Sequence, residues 1–187
     1  PMYEDGHAGY SDPLDEQVFL TNTINKLHQL PEWKDTAVII AYDDSDGWYD
    51  HVMAPLVNGS NDPKLDTLNG QGEAGTPKLG DYQDRAGYGP RLPLLIISPY
   101  AKSNFVDNTL TDQTSILKFI EDNWKLGRIG DHSMDEVAGT LTHMFDFDSK
   151  TRNTALFLNP HTGQPESKKD AVTQTKQYIA QIYKDMK

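Results

Sequence analysis

The chain contains no cysteine, which excludes disulfides, thiolate zinc sites and a cysteine nucleophile. Any metal it binds must be held by carboxylates, imidazoles, hydroxyls or water. No apolar run approaches the roughly 20 residues of a membrane span, so no transmembrane segment is expected. Basic residues are scarce: 17 Lys and Arg stand against 28 Asp and Glu, a formal net charge of −11. Phosphate-backbone binding needs a basic surface, so nucleic acid is not an expected partner. For the same reason an anionic substrate would need a local cation. The opening residues, Pro1-Met2-Tyr3-Glu4-Asp5-Gly6-His7, have neither a basic nor an apolar leader region, and no signal peptide is expected in them.

What is present is a chain of 187 residues, 36% of them hydrophobic, the size of one domain or of a large piece of something bigger. Asp12 is a good N-cap, Pro13 suits the first helical position, and Asp15 and Glu16 fall in the first turn. Leu14, Val18, Leu20, Ile24 and Leu27 follow at helical spacing, and Pro31 ends the helix near Leu30. Thr36 to Ala41 reads as a strand buried on both faces, and Leu92 to Pro99 as a second, with Pro93 near its start and Pro99 stopping it. A helix is predicted from about Thr111 to Trp124, ended by Gly127. Ser133-Met-Asp-Glu136 matches a capping box opening a short helix through about Met144. Thr154 to Leu158 reads as a short strand, and residues 167–187 as a C-terminal helix whose buried side is Val172, Ile179, Ile182 and Tyr183.

Residues 54–90 are rich in Gly, Pro, Asn and Asp without periodicity. A long irregular loop of this kind is uncommon in a compact domain unless it has a function. It reads as a lid or substrate-facing loop, or as a disordered surface insertion. The element order suggests an α/β layered domain with a parallel sheet. Two buried strands cannot cover each other's edges, so the sheet is expected to be part of a larger one.

The stretch Tyr42-Asp-Asp-Ser-Asp-Gly-Trp-Tyr-Asp-His51 carries the chemistry. In open α/β sheets ligands bind beyond the carboxyl ends of strands, where this strand delivers Asp43 and Asp44. Adjacent carboxylates repel, and crowding them without a cation raises one pKa. A divalent metal ion removes that penalty, so Asp43 and Asp44 are candidate metal ligands, the alternative being an acidic surface turn. His51 is open to three roles: metal ligand, phosphate donor or a partner of a ligand. His7, between small residues in Gly6-His-Ala-Gly-Tyr10, is exposed to a ligand in a way a helix-face histidine is not. His28, on the first helix, reads as a surface residue, and His132, His143 and His161 lie beside no carboxylate cluster and are given no role. Asp44-Ser-Asp46-Gly47 also resembles the start of a calcium loop, which would make this a calcium-stabilised structural domain, although the later ligands of an EF-hand are missing.

Four segments, in order, resemble the C-terminal part of the bacterial acid phosphatase and phospholipase C phosphoesterase family. They are Asp5-Gly-His-Ala-Gly-Tyr-Ser-Asp-Pro-Leu-Asp-Glu-Gln17, Ala37 to His51, Tyr88-Gly-Pro-Arg-Leu-Pro-Leu-Leu-Ile-Ile-Ser-Pro99 and Thr111-Asp-Gln-Thr-Ser-Ile-Leu-Lys-Phe-Ile-Glu-Asp-Asn-Trp124. Their wording is closer to the acid-phosphatase branch. The resemblance implies an alkaline-phosphatase-like layered sheet with flanking helices, present here as an incomplete portion. It further implies metal-dependent hydrolysis of phosphate esters in a secreted or cell-envelope enzyme. By that likeness Asp43 and Asp44 match paired metal ligands, His7 a histidine that hydrogen-bonds phosphate oxygens, and His51 the motif's closing histidine. The family's hydroxyl nucleophile and remaining ligands belong to an N-terminal portion with no counterpart here. The chain is therefore expected to supply part of an active site and to be inactive alone. A non-catalytic surface or binding domain that retains the scaffold is the competing expectation.

Overall fold

The computed structural model describes residues 2–45, 48–52, 54, 88–130, 133–148 and 155–186. The loop predicted over 54–90 therefore falls almost wholly outside the described residues. The chain divides into two compact units. One comprises Pro1–Ala37, Ser98–Tyr100 and Phe147–Lys187, and the other Val38–Ile97 and Ala101–Asp146.

The first unit is built on two helices. Helix α1, Pro13–Leu27, starts as its sequence dictates: the Asp12 carboxylate accepts the Leu14 N–H at 2.7 Å, and Pro13 occupies the first turn. It closes three residues short of the predicted end, where the His28 N–H returns to the Ile24 carbonyl at 2.9 Å. Pro31 then opens a 3-10 turn, Pro31–Asp35. The last helix, Lys168–Asp185, is capped by the Ser167 hydroxyl, which accepts the Asp170 N–H at 3.2 Å. α1 packs against it. Of the side chains predicted to be buried on this last helix, Val172, Ile179 and Ile182 are half-buried, whereas Tyr183 is exposed. The fully buried positions are Ala171 and Thr175 instead.

The interface is more polar than an apolar stripe predicts. Asn25, 1% exposed, donates its amide to the Leu158 carbonyl at 2.8 Å and accepts the Leu158 N–H at 3.3 Å. It stands where the backbone of Leu158 has only an isolated bridge, to Pro165, for support. The short strand expected over Thr154 to Leu158 is that single bridge, and Thr154 lies outside the described residues. Buried backbone groups must be paired. Replacing Asn25 with leucine, which has as many side-chain heavy atoms but is bulkier and makes no hydrogen bond, should thus lower the unfolding free energy by at least about 2 kcal/mol, the minimum cost of two stranded backbone groups. Urea denaturation would show the midpoint fall.

His28, read from the sequence as a surface residue, is instead half-buried, because Trp33 and Phe157 pack edge-on against its ring with centroids 4.3 and 5.6 Å away. Burial pushes its imidazole below the ordinary histidine value, against a smaller opposing effect of the Leu156 backbone. The unfolded chain then takes up a proton that the folded chain refuses. This contribution to stability is complete above the ordinary value near about 6.5 and is lost as pH falls below it. The thermal midpoint should drop between pH 7.5 and 5.5, and His28→Gln should flatten that part of the profile.

The second unit holds a two-stranded sheet, β1 (Val38–Ala41) and β2 (Leu94–Ile97). The strands run antiparallel, with Val38 opposite Ile97 and Ala41 opposite Leu94, which corrects the expectation of a parallel sheet. An aliphatic run encodes burial and not direction. Direction follows from the connection, and residues 55–87 of that connection lie outside the described residues. Nor is β1 buried on both faces. Its residues are half-buried or exposed, and across the sheet only Ile96 is fully buried while Leu95 is 54% exposed. Pro93 and Pro99 bracket β2 as predicted.

Helix α2, Thr114–Trp124, begins three residues later than predicted and stops at Lys125, whose φ of 55° is left-handed, two residues ahead of Gly127. Phe119 stacks on Phe145 at 5.0 Å, and Lys118 Nζ donates to the Ala138 carbonyl at 2.7 Å. The helix expected from Ser133 to Met144 is replaced by two 3-10 turns, Met134–Glu136 and Thr142–Met144. The Ser133 hydroxyl caps nothing. Tertiary contacts meet the segment where the predicted helix would continue: Lys118 donates to the Ala138 carbonyl, and Gly139 lies hard against the Leu110 backbone.

Candidate active site

Strand β1 loses its partner at Ala41, opposite the first residue of β2. The carbonyls of the next residues need donors from elsewhere. Gln113, at the N-cap of α2, provides them: its Nε2 donates to the carbonyls of Tyr42 at 3.1 Å and Asp43 at 2.6 Å. The strand exit is thereby fixed by its backbone, and the side chains of Asp43 and Asp44 are exposed beyond it. No local pattern in the sequence singles out Gln113, because its partners lie some seventy residues earlier.

Beyond Asp44, the Trp48 N–H donates to the Ser45 carbonyl at 2.9 Å. The arm Trp48 to Val52 then returns toward β2. Its anchor is Asp50. Arg91 Nε and Nη2 donate to the two carboxylate oxygens at 2.6 and 2.7 Å, and the backbone N–H groups of Arg91 and Val52 add bonds at 3.1 and 3.0 Å. The Arg91 hydrogen bond, followed by these backbone donors, holds the Asp50 carboxyl far below the usual carboxylate range. His51 is exposed on this arm, its ring edge-on to Tyr49 at 5.2 Å. Asp43, Asp44 and His51 thus share one unit.

His7 belongs to the first unit, in a tight loop before α1. Its N–H donates to Asp5 Oδ1 at 3.0 Å, its Nδ1 meets the Ala8 carbonyl, and its ring stacks on Tyr10 at 4.4 Å. Gly6 carries the turn at φ 81°, and a Cβ there would lie 2.9 Å from the Glu16 carboxyl group. The loop is closed by Ser11, whose hydroxyl accepts the Gly6 N–H and donates to the Tyr3 carbonyl. With Nδ1 engaged by a carbonyl, Nε2 is the remaining ring nitrogen for a ligand.

His143 hydrogen-bonds the Thr109 hydroxyl at 3.1 Å, and His161 is exposed. His132 lies outside the described residues. So do Asp46 and Gly47, on which the calcium-loop reading depends. As to a metal, exposed adjacent carboxylates are suitable donors for a hard divalent cation. Among the described residues, however, no three His, Asp or Glu side chains come together as a metal site. Asp43 and Asp44 fit such an ion in kind and fall short of a shell in number.

The chain matches the phosphoesterase family over residues 1–127. It is 37% identical over 157 residues to the non-hemolytic phospholipase C of Burkholderia pseudomallei, covering 76% of this chain and 20% of that protein. It is 31% identical over 170 residues to the non-hemolytic phospholipase C of Pseudomonas aeruginosa, covering 86% and 24%. The hemolytic phospholipase C of the same organism is 33% identical over 139 residues, covering 70% and 18%. The chain belongs to the phosphoesterase family. It spans about a fifth to a quarter of the length of these curated relatives. Among the described residues no helix is long and apolar enough to cross a membrane.

Proposed function

We propose that this chain supplies part of the active site of a metal-dependent enzyme that hydrolyses phosphate esters. The observation that carries the reading is the exit of β1, where backbone bonds from Gln113 hold the chain and present Asp43 and Asp44 outward, inside the stretch matched to the family. Asp43 and Asp44 are assigned as ligands of a divalent ion whose remaining ligands come from an N-terminal portion of the same enzyme. His7 is assigned to hydrogen-bond phosphate oxygens through Nε2 in its imidazolium form, since Nδ1 gives its hydrogen to the Ala8 carbonyl, and His51 to the reacting phosphate group. The division of labour is physically coherent: the cation offsets phosphate charge in a chain of net charge −11, and imidazoles donate to oxygens on which charge develops. A secreted or cell-envelope location goes with this reading, which rests on the family likeness.

Two substrate classes follow. The named relatives are phospholipases C, which favours a phosphodiester with a lipid alcohol, whereas the wording of the motifs favours a phosphomonoester. Hydrolysis of p-nitrophenyl phosphate and of p-nitrophenyl phosphorylcholine, each with added Mg²⁺, Mn²⁺, Ca²⁺ or Zn²⁺, separates them. The assay is run on this chain and on a form extended to the length of its relatives. Turnover is expected from the extended form and not from this chain. An extended form inert on both substrates with every metal overturns the reading and leaves a binding domain on the same scaffold.

A further inference from the structure

Among the described residues, the arm that carries His51 is tied to the start of β2 by the Asp50–Arg91 pair. Asp50 accepts four hydrogen bonds, two on each oxygen: Arg91 Nη2 and the Val52 N–H on Oδ1, Arg91 Nε and the Arg91 N–H on Oδ2. Planar two-point pairing of a guanidinium with a carboxylate fixes direction as well as distance, which an ammonium cannot do. The bond to Val52 wraps the carboxylate around the backbone of His51, so the side chain of one neighbour sets the turn from which the imidazole projects. The carboxylate is only 13% exposed, whereas the Arg91 side chain is 73% exposed.

Arg91 is also well placed in the chain. Three residues later Leu94 opens β2 and pairs with Ala41, two residues before Asp43. A continuous path of bonds therefore runs from the acid pair through Ala41 and Leu94 to Arg91, Asp50 and His51. We propose that Asp50 and Arg91 are positioning residues, a latch that holds His51 in a fixed relation to Asp43 and Asp44. The inference rests on the proposed hydrolase reading for its purpose and on these distances for its geometry.

The test has one arm that needs no activity. In the full chain, the imidazole carbon–proton signal of His51 and the amide signals of residues 49–52 are followed by NMR in Asp50→Asn and Arg91→Lys. Both variants should shift these signals while the amides of Val38–Ala41 and Leu94–Ile97 keep their positions. The double variant should move them no further than either single one, because one broken pair cannot be broken twice. Arg91→Lys preserves charge, so its effect isolates the planar geometry. In the extended, active form each variant should lower kcat by roughly 10-fold to 100-fold with little change in KM, the range expected for a group that orients a reacting one. Unmoved His51 signals in both single variants overturn the latch whatever the enzyme assay gives. A rise in KM for Arg91→Lys without any effect of Asp50→Asn also overturns it, and makes Arg91 a substrate-binding group instead. Collapse of the strand amides in either variant would show that the pair supports the fold and does not position the site.

Discussion

Asp43→Asn is expected to lower hydrolysis of phosphate esters by at least about 100-fold in the extended enzyme, since even groups that merely orient metal ligands cost 10-fold to 100-fold when lost. Asparagine keeps the shape and removes the charge. The contacts that hold this stretch go to the carbonyls of Tyr42 and Asp43, so the substitution leaves them in place. The side chain is exposed, and exposed substitutions rarely move stability by more than about 0.5 kcal/mol. The expected result is thus an intact fold with the activity gone, read by circular dichroism and the p-nitrophenyl assay on one sample. Partial rescue by raised metal concentration would identify the lost charge as a metal ligand. An Asp43→Asn enzyme with full turnover removes the acid pair from the mechanism. The calcium-stabilised alternative predicts a different pattern: melting that depends on calcium, and an effect of Asp46→Ala at least as large as that of Asp43→Ala.

Gly139→Ala is expected to destabilise the second unit by at least about 3 kcal/mol, the upper end of the cost of overpacking. A Cβ at this position would lie 2.0 Å from the Leu110 carbonyl oxygen and 3.3 Å from a Thr111 methyl group. The first of these is backbone and has no rotamer through which to yield. The Leu110 segment leads directly into Gln113 and α2, so relief of the clash would displace the residue that holds the β1 exit. Besides a lowered denaturation midpoint, the variant should shift the amide signals of Asp43 and Asp44, some hundred residues away in sequence. A variant as stable as the parent chain would mean that the approach of Gly139 to Leu110 is looser than 2.0 Å implies.

How much of this was legible in advance depends on the range of the interaction. The cap of α1 was legible because the Asp12 side chain bonds to an amide two residues onward. The limits of β2 were legible because Pro93 and Pro99 remove donors wherever they stand. The Ser133-to-Met144 helix was misread because its capping signal is local, whereas its opponents, Lys118 and the Leu110 backbone, arrive from elsewhere in the chain. Asn25 was passed over for a related reason. An asparagine on a helix reads as surface until a second segment brings it an unpaired backbone.

The sequence by itself determined which residue types this protein could use for chemistry. It presents a carboxylate pair at a strand exit, one histidine between small residues and another closing the acid-rich stretch, and it leaves no thiol. It also carries the ordered motifs that mark a phosphoesterase. Only the tertiary structure decided the direction of the strand pair, the role of Gln113 and the joining of Asp50 to Arg91. The physical reason is one of distance along the chain. A residue type, a cap or a proline acts on its near neighbours, whereas an orphaned carbonyl or a guanidinium takes whichever partner the fold brings within about 3 Å.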